Sequence, residues 1–176
     1  MPSKRGPSAQ SVQIPPSEIT GDLAIPIEID LRTRHLRFDV DLLTNRLVES
    51  TRWLTVNSST RALPSGYFGA STGAAAALIA AAELPESMRA VFRAATGPIW
   101  LAGLSLPTVK APTLLIVGGN DGQVIELNKQ AFDQLQCDKE LEIVPGATHL
   151  FEEPGTLEQV AALASKWLVA QVPYTR

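Results

Sequence analysis

Three short segments of the chain bring together the residue types that nucleophilic chemistry needs. The first is Gly69-Ala70-Ser71-Thr72-Gly73, a serine with glycine two places before it and two places after it. That spacing suits a serine on a sharp strand-to-helix turn. The strained backbone crowds both flanking positions, and glycines there, Gly69 and Gly73, remove the clash. The Ser71 hydroxyl would then stand exposed above the sheet. The Thr72 backbone N–H, at the start of the following helix, would face an anion forming beside it. The second segment, Gly118-Gly119-Asn120-Asp121-Gly122, offers the carboxylate of Asp121, although Asn-Asp-Gly is also ordinary turn chemistry. The third, Pro145-Gly146-Ala147-Thr148-His149, ends in the only histidine downstream of Ser71. A hydroxyl, a base and an acid that orients the base are the parts of an acyl-transfer site. Taken singly, each segment has a plainer reading: a close-packing turn, a turn aspartate, a solvated histidine.

The elements around these segments decide between the readings. From Leu63 onward the chain repeats one theme of apolar strand, Gly-rich or polar loop, and helix. Strands are expected at 66–70, 89–94, 113–117 and 141–144, and helices at 72–83, 123–136 and 156–171. This alternation predicts an α/β fold, three layers deep (α/β/α), with a mostly parallel sheet. Ligands of such sheets sit at the carboxyl ends of the strands, which is where Ser71, Asp121 and His149 each fall. Their order along the chain, Ser then acid then His, is that of an α/β-hydrolase triad. Upstream, Leu36, Val40, Leu43, Leu47 and Leu54 share one face of a long amphipathic helix expected over 33–57. Residues 11–31 read as a hairpin or edge strands and 1–10 as a loose tail, leaving one domain over 11–172.

Composition narrows the partners. The 176 residues are 45% hydrophobic and 19% charged with a net charge of −3, so the chain is globular and has no basic excess for nucleic acid. One cysteine and two histidines allow neither an intrachain disulfide nor a cysteine-rich metal cluster. Lys4 and Arg5 are followed by Gly, Pro and Ser rather than an apolar stretch, so no export signal is read and a cytoplasmic location is expected. The uncharged run 62–82 has the length of a membrane span, but its Pro64, Gly66, Gly69 and Gly73 suit a buried strand and helix better. His35 reads as solvated surface and Cys137 as a buried small apolar residue. Glu152 and Glu153 read as a solvated acidic pair rather than the mouth of a site.

With those residues placed, the wording of the chain resembles a known group. The segments Gly66-Tyr67-Phe68-Gly69-Ala70-Ser71-Thr72-Gly73, Ala111-Pro112-Thr113-Leu114-Leu115-Ile116-Val117-Gly118-Gly119-Asn120-Asp121 and Pro145-Gly146-Ala147-Thr148-His149-Leu150-Phe151-Glu152 are similar to bacterial dienelactone-hydrolase-like α/β-hydrolases. The stretch 32–39 resembles that family's helix before the nucleophile strand, and the likeness covers roughly 30–172, with a fainter echo at 11–26. The resemblance implies Ser71 as nucleophile, Asp121 as acid and His149 as base, with neither metal nor organic cofactor. It also implies two departures. Dienelactone hydrolases proper carry a cysteine nucleophile where this chain has Ser71. Their His-Gly type segment, whose loop supplies a second oxyanion N–H, has no counterpart, so the fold is expected to be shortened at its N-terminal side.

The leading expectation is a serine hydrolase of small carboxylic esters, thioesters or lactones, with no membrane or nucleic-acid partner. The alternative is a weak or inactive hydrolase-like domain serving binding or assembly, motivated by the lost block. A nucleotide-binding reading of Gly118-Gly119 or of 69–73 fails on spacing, since neither matches G-x-G-x-x-G or a G-K-[ST] ending. The lost block would also remove ladder partners from the nucleophile strand. Either residues 23–31 pair there or the edge stays open and invites a homodimer. The residues 95–100 are expected to line one wall of the pocket, with Trp100 read equally well as a core residue.

Overall fold

The computed structural model describes Arg32 and residues 35–96 and 102–171. The expected tail, the hairpin at 11–26, the edge candidate at 23–31 and most of the expected pocket wall (97–100) lie outside the described residues. Within them the chain runs α1 (Val40–Val56), β1 (Ser65–Ser71), α2 (Thr72–Glu83), β2 (Met88–Thr96), β3 (Thr113–Gly118), α3 (Gly122–Gln134), β4 (Lys139–Val144) and α4 (Thr156–Gln171). Short 3-10 turns stand at Leu36–Phe38 and Leu106–Thr108.

The four strands are parallel and lie side by side in chain order. Parallel strands need crossovers, and α2 and α3 supply two of them on one face. There α2 packs on β1 and β2, α3 on β3 and β4, and α1 against α2, while α4 covers β2, β3 and β4 from the other face. The result is the three-layer α/β/α arrangement, shortened. Two apolar clusters fill the gaps between layers. One gathers Val48, Tyr67, Leu78, Val91, Leu115 and Leu135 beneath α1, α2 and α3. The other gathers Phe92, Leu114, Ile116, Phe151, Val160 and Trp167 beneath α4.

Each element follows from local chemistry. All six residues of β3 are buried, as a strand covered on both faces requires. In α2 the run Ala74–Ala77 is fully buried, and small side chains let that helix lie tight between the sheet and α1. The amphipathic helix starts seven residues later than the 33–57 pattern predicts. Asp39 accepts the Leu42 N–H at 2.9 Å and caps α1, so Leu36 is left in the preceding 3-10 turn. The buried pair of Thr51 and Tyr67, 2.6 Å apart, ties α1 to β1, and burial raises the Tyr67 phenol above its ordinary value. Cys137 is only half-buried, its thiol 3.7 Å from the Thr113 hydroxyl, because it follows α3 at the rim of the first cluster.

Strand β4 presents Lys139, Glu140 and Glu142 along its edge, charges that discourage pairing with another chain. Among the described residues β1 is the opposite edge, with Phe68 58% exposed and stacked at a tilt on Phe92, ring centroids 5.0 Å apart. No helix of the described residues is long and apolar enough to cross a membrane.

Candidate active site

The strand register brings the three segments to one edge of the sheet. Ser71, the last residue of β1, is level with Thr96 of β2, and Gly118, the last of β3, is level with Val144 of β4. Ala94 pairs with Ile116, so carrying that register two residues on puts Thr96 level with Gly118. Asp121 lies three residues beyond that line and His149 five.

Ser71 sits at the N-cap of α2 with φ 50° and ψ −124°, a conformation non-glycine residues seldom adopt. Such strain costs about 1–3 kcal/mol and persists where the surroundings impose it. Here the helix imposes it by starting at the next residue. A Cβ at Gly69 would stand 2.5 Å from the Gly73 carbonyl oxygen and 2.7 Å from the Ala74 Cα, so only glycine fits under the first turn of α2. A Cβ at Gly73 would meet nothing within 4 Å. The sequence pattern assigns the same steric reason to both glycines, and that holds for Gly69 but not for Gly73. The clash is one-sided because Gly73 is already helical and faces away from the turn. The Ser71 side chain does not cap α2, so the helix's first N–H groups, starting with Thr72, have no side-chain acceptor from it.

Asp121 is the N-cap of α3, and its side chain does not cap that helix either. Its Oδ2 lies 2.9 Å from the His149 Nδ1 instead, with 20% of the Asp121 side chain and 39% of the His149 side chain exposed. No hydrogen bond joins the Ser71 hydroxyl to the His149 ring among the described residues. His35 is exposed on the turn before α1. No group of three or more His, Cys, Asp or Glu among the described residues could hold a metal ion.

The loops after β3 and β4 are stitched to each other, through residues that sequence reasoning leaves unassigned. Asn120 donates its backbone N–H to the Ala147 carbonyl and its amide Nδ2 to the Gly146 carbonyl, both at 2.9 Å. Gly119 donates to the Val144 carbonyl at 2.8 Å. The approach is so close that a Cβ at Gly118 would stand 2.5 Å from the Thr148 oxygen and 2.6 Å from the Ala147 oxygen. Beyond His149, Phe151 takes φ 55° and buries its ring in the cluster under α4, pinning the loop from below.

Glu153, one of the expected solvated acidic pair, is partly open to solvent and also makes a contact that the pair reading does not include. Its carboxylate accepts the Thr148 N–H at 3.0 Å. Hydrogen bonding to Thr148, through the side chain first and the backbone second, holds the carboxyl below its ordinary value. A turn that leaves Thr148 N–H without a backbone acceptor explains the contact, and no local pattern announces it. Arg93 is a second surprise. It occupies β2 between Gly69 and Leu115, is 1% exposed, and has no partner for either terminal nitrogen among the described residues. Burial alone lowers its guanidinium from the ordinary arginine range to about 10.

No family model matches the chain. Two Mycobacterium tuberculosis proteins, provisionally named as a phosphoribosyl transferase, are 54% identical to it over 148 residues. That match takes in 84% of this chain but 33% of theirs, so the chain spans about one third of the length of these curated relatives. The crystal structure of a dienelactone hydrolase from Anabaena variabilis superposes with a TM-score of 0.82 at 57% identity, over 86% of this chain and 70% of that one. A monoacylglycerol lipase from Paleococcus ferrophilus, at 17% identity and a TM-score of 0.63 over 76% of each chain, shares the fold. Parallel sheet, crossover helices and the extended identity to the Anabaena enzyme agree, and the chain belongs to the dienelactone-hydrolase-like family of α/β-hydrolases.

Proposed function

We propose that this chain is a serine hydrolase of small carboxylic esters, thioesters or lactones, with Ser71, His149 and Asp121 as its triad. The observation that carries the reading is the 2.9 Å contact between His149 Nδ1 and Asp121 Oδ2, made at the same sheet edge as the strained Ser71 turn. An ionised carboxylate only accepts hydrogen bonds, so the Nδ1 beside it carries the proton and Nε2 keeps its lone pair for use as a base. Ser71 Oγ attacks the carbonyl carbon while Nε2 takes its proton. The oxygen that gains charge is met by the Thr72 N–H at the positive end of α2. The C–O or C–S bond to the leaving group breaks and His149 returns the proton to it. Water, deprotonated by His149, then releases the acid and restores Ser71.

The transferase name of the Mycobacterium relatives does not favour a different reading for this chain. It belongs to proteins about two and a half times as long, and two thirds of each lies outside the match. Intact-mass analysis after fluorophosphonate treatment tests the proposal, because labelling needs an activated serine and not the right substrate. One adduct is expected, absent in Ser71→Ala and strongly slowed in His149→Ala. Folded protein that takes up no adduct would refute the enzyme and leave a hydrolase-like binding or assembly module.

A further inference from the structure

A cavity of about 690 Å³ lies at the other end of the sheet from Ser71, walled by the turn after α1, the starts of β1 and β2, and the end of α4. Its volume falls within the range of small-molecule sites, roughly 300–1,000 Å³. Two arginines face it, Arg61 and Arg89, and neither side chain makes a hydrogen bond or ion pair among the described residues. The hydroxyls of Ser65 and Ser87 line the same space and are likewise uncommitted. The one acid on the wall, Glu86, is engaged by Lys110 at 3.1 Å and so does not neutralise the arginines.

Arg89 is there by construction. Ser65 pairs with Met88 and Gly66 with Ala90, so Arg89 is an extra residue in β2, a bulge opposite a single step of β1. Bulges are uncommon in parallel pairs, and they re-aim a side chain that regular pleating would point elsewhere. Two guanidinium forks and two hydroxyl donors on the wall of one cavity match a tetrahedral oxyanion better than a point charge or an apolar group. Leu54 and Leu63 add an apolar wall against which the rest of a small molecule could lie.

We infer that this cavity binds a phosphate-bearing small molecule through Arg61 and Arg89. The site is separate from the hydrolase site: six residues of strand put it about 20 Å from Ser71. It stands whether or not Ser71 is active.

Calorimetric titration of the whole chain at fixed ionic strength tests it, with glycerol 3-phosphate, inorganic phosphate and glycerol as probes. Saturable binding of glycerol 3-phosphate is expected, together with weaker binding of inorganic phosphate and none of glycerol. Arg61→Gln and Arg89→Gln, both exposed substitutions, should each weaken the ester about tenfold or more. Equal binding of ester and inorganic phosphate would still support the site and assign its recognition to the phosphate alone. No saturation by either anion, or unchanged affinity in the double variant, would overturn the inference. So would loss of binding in Ser71→Ala, which would move the anion to the opposite edge of the sheet.

Discussion

The close approach at Gly118 makes the placement of His149 testable without touching any reacting group. In Gly118→Ala the new Cβ would stand 2.5 Å from one backbone oxygen and 2.6 Å from another, where contacts under 3.0 Å are essentially never seen. Neither oxygen belongs to a flexible side chain, so segment 147–148 must retreat by about 0.5 Å. That retreat stretches the 2.9 Å bond from Asn120 to Ala147 and carries along His149, the next residue. Misplacement of a reacting group by 1 Å can cost about 10²-fold, so a shift of half that size should slow fluorophosphonate labelling of Ser71 by about tenfold. The overpacking should also cost about 1–3 kcal/mol, seen as a melting temperature lower by a few degrees. Gly122→Ala is the control. Its Cβ meets nothing within 4 Å at the first position of α3, so it should label normally and gain about 0.4–1 kcal/mol. Wild-type labelling and an unchanged melting temperature in Gly118→Ala would refute the idea that this glycine sets the distance between the loops.

Other perturbations separate the remaining parts. Asp121→Asn can donate to Nδ1 and so stabilise the tautomer that lacks a basic Nε2; ester hydrolysis should fall by about 10⁴-fold with folding intact, and a loss under tenfold would remove Asp121 from its orienting role. Glu153 has a folded carboxyl below its ordinary value, so the stability it adds is present above about pH 4.5 and drains away as pH falls through the lower folded value. Urea melts across that range should therefore show a shallower acid loss for Glu153→Gln than for wild type, and matching slopes would contradict the Thr148 contact. Arg93 runs the other way: burial penalises its charged form fully below about pH 10, and the penalty is relieved as pH rises beyond that into the ordinary arginine range. That drop is worth roughly 3 kcal/mol, so Arg93→Met should stabilise the protein by about 1–3 kcal/mol near neutral pH. A lower melting temperature in Arg93→Met would mean that the folded protein holds an anion against this arginine.

Much of the fold was legible because period and punctuation agree. Helices 72–83 and 156–171 have the bounds their patterns predict, and each of the four strands extends its predicted core by one to three residues. The helix expected at 123–136 ends two residues early, at Gln134, and the boundary that moved furthest, the start of α1, moved because one capping side chain outweighed an apolar periodicity that continued beyond it. Ser71, Asp121 and His149 could be picked out because a parallel sheet delivers the residues after its strands to one edge. What holds those residues was not legible. Asn120 looks like turn chemistry until the neighbouring loop supplies carbonyls 26 and 27 residues away, and Gly118 looks like any turn glycine until Thr148 arrives above it. Glu153 and Arg93 are decided by what surrounds them in space. A charged residue inside an apolar strand was the one available signal for Arg93, and alternation within the predicted strand would have turned it inward.

The two helices that begin at the site treat their first residues differently from α1. Asp39 caps α1 in the ordinary way, with its carboxylate on the Leu42 N–H. Ser71 and Asp121 are equally good capping residues at the same position of α2 and α3, yet neither side chain caps. A lost cap costs about 1 kcal/mol, and the backbone at Ser71 costs about 1–3 kcal/mol more. Against a typical total stability of about 5–15 kcal/mol, those losses at one edge of the sheet are large. Asp121 directs its carboxylate to a neighbour's imidazole instead. Ser71 leaves the first N–H groups of α2 without its oxygen, and so leaves them for whatever anion forms beside it. Local stability has been given up at the two helix starts where Ser71 and Asp121 stand, and kept at the start of α1, where no such residue stands. That distribution supports the proposed triad, because a working site trades local stability for geometry where its reacting groups stand.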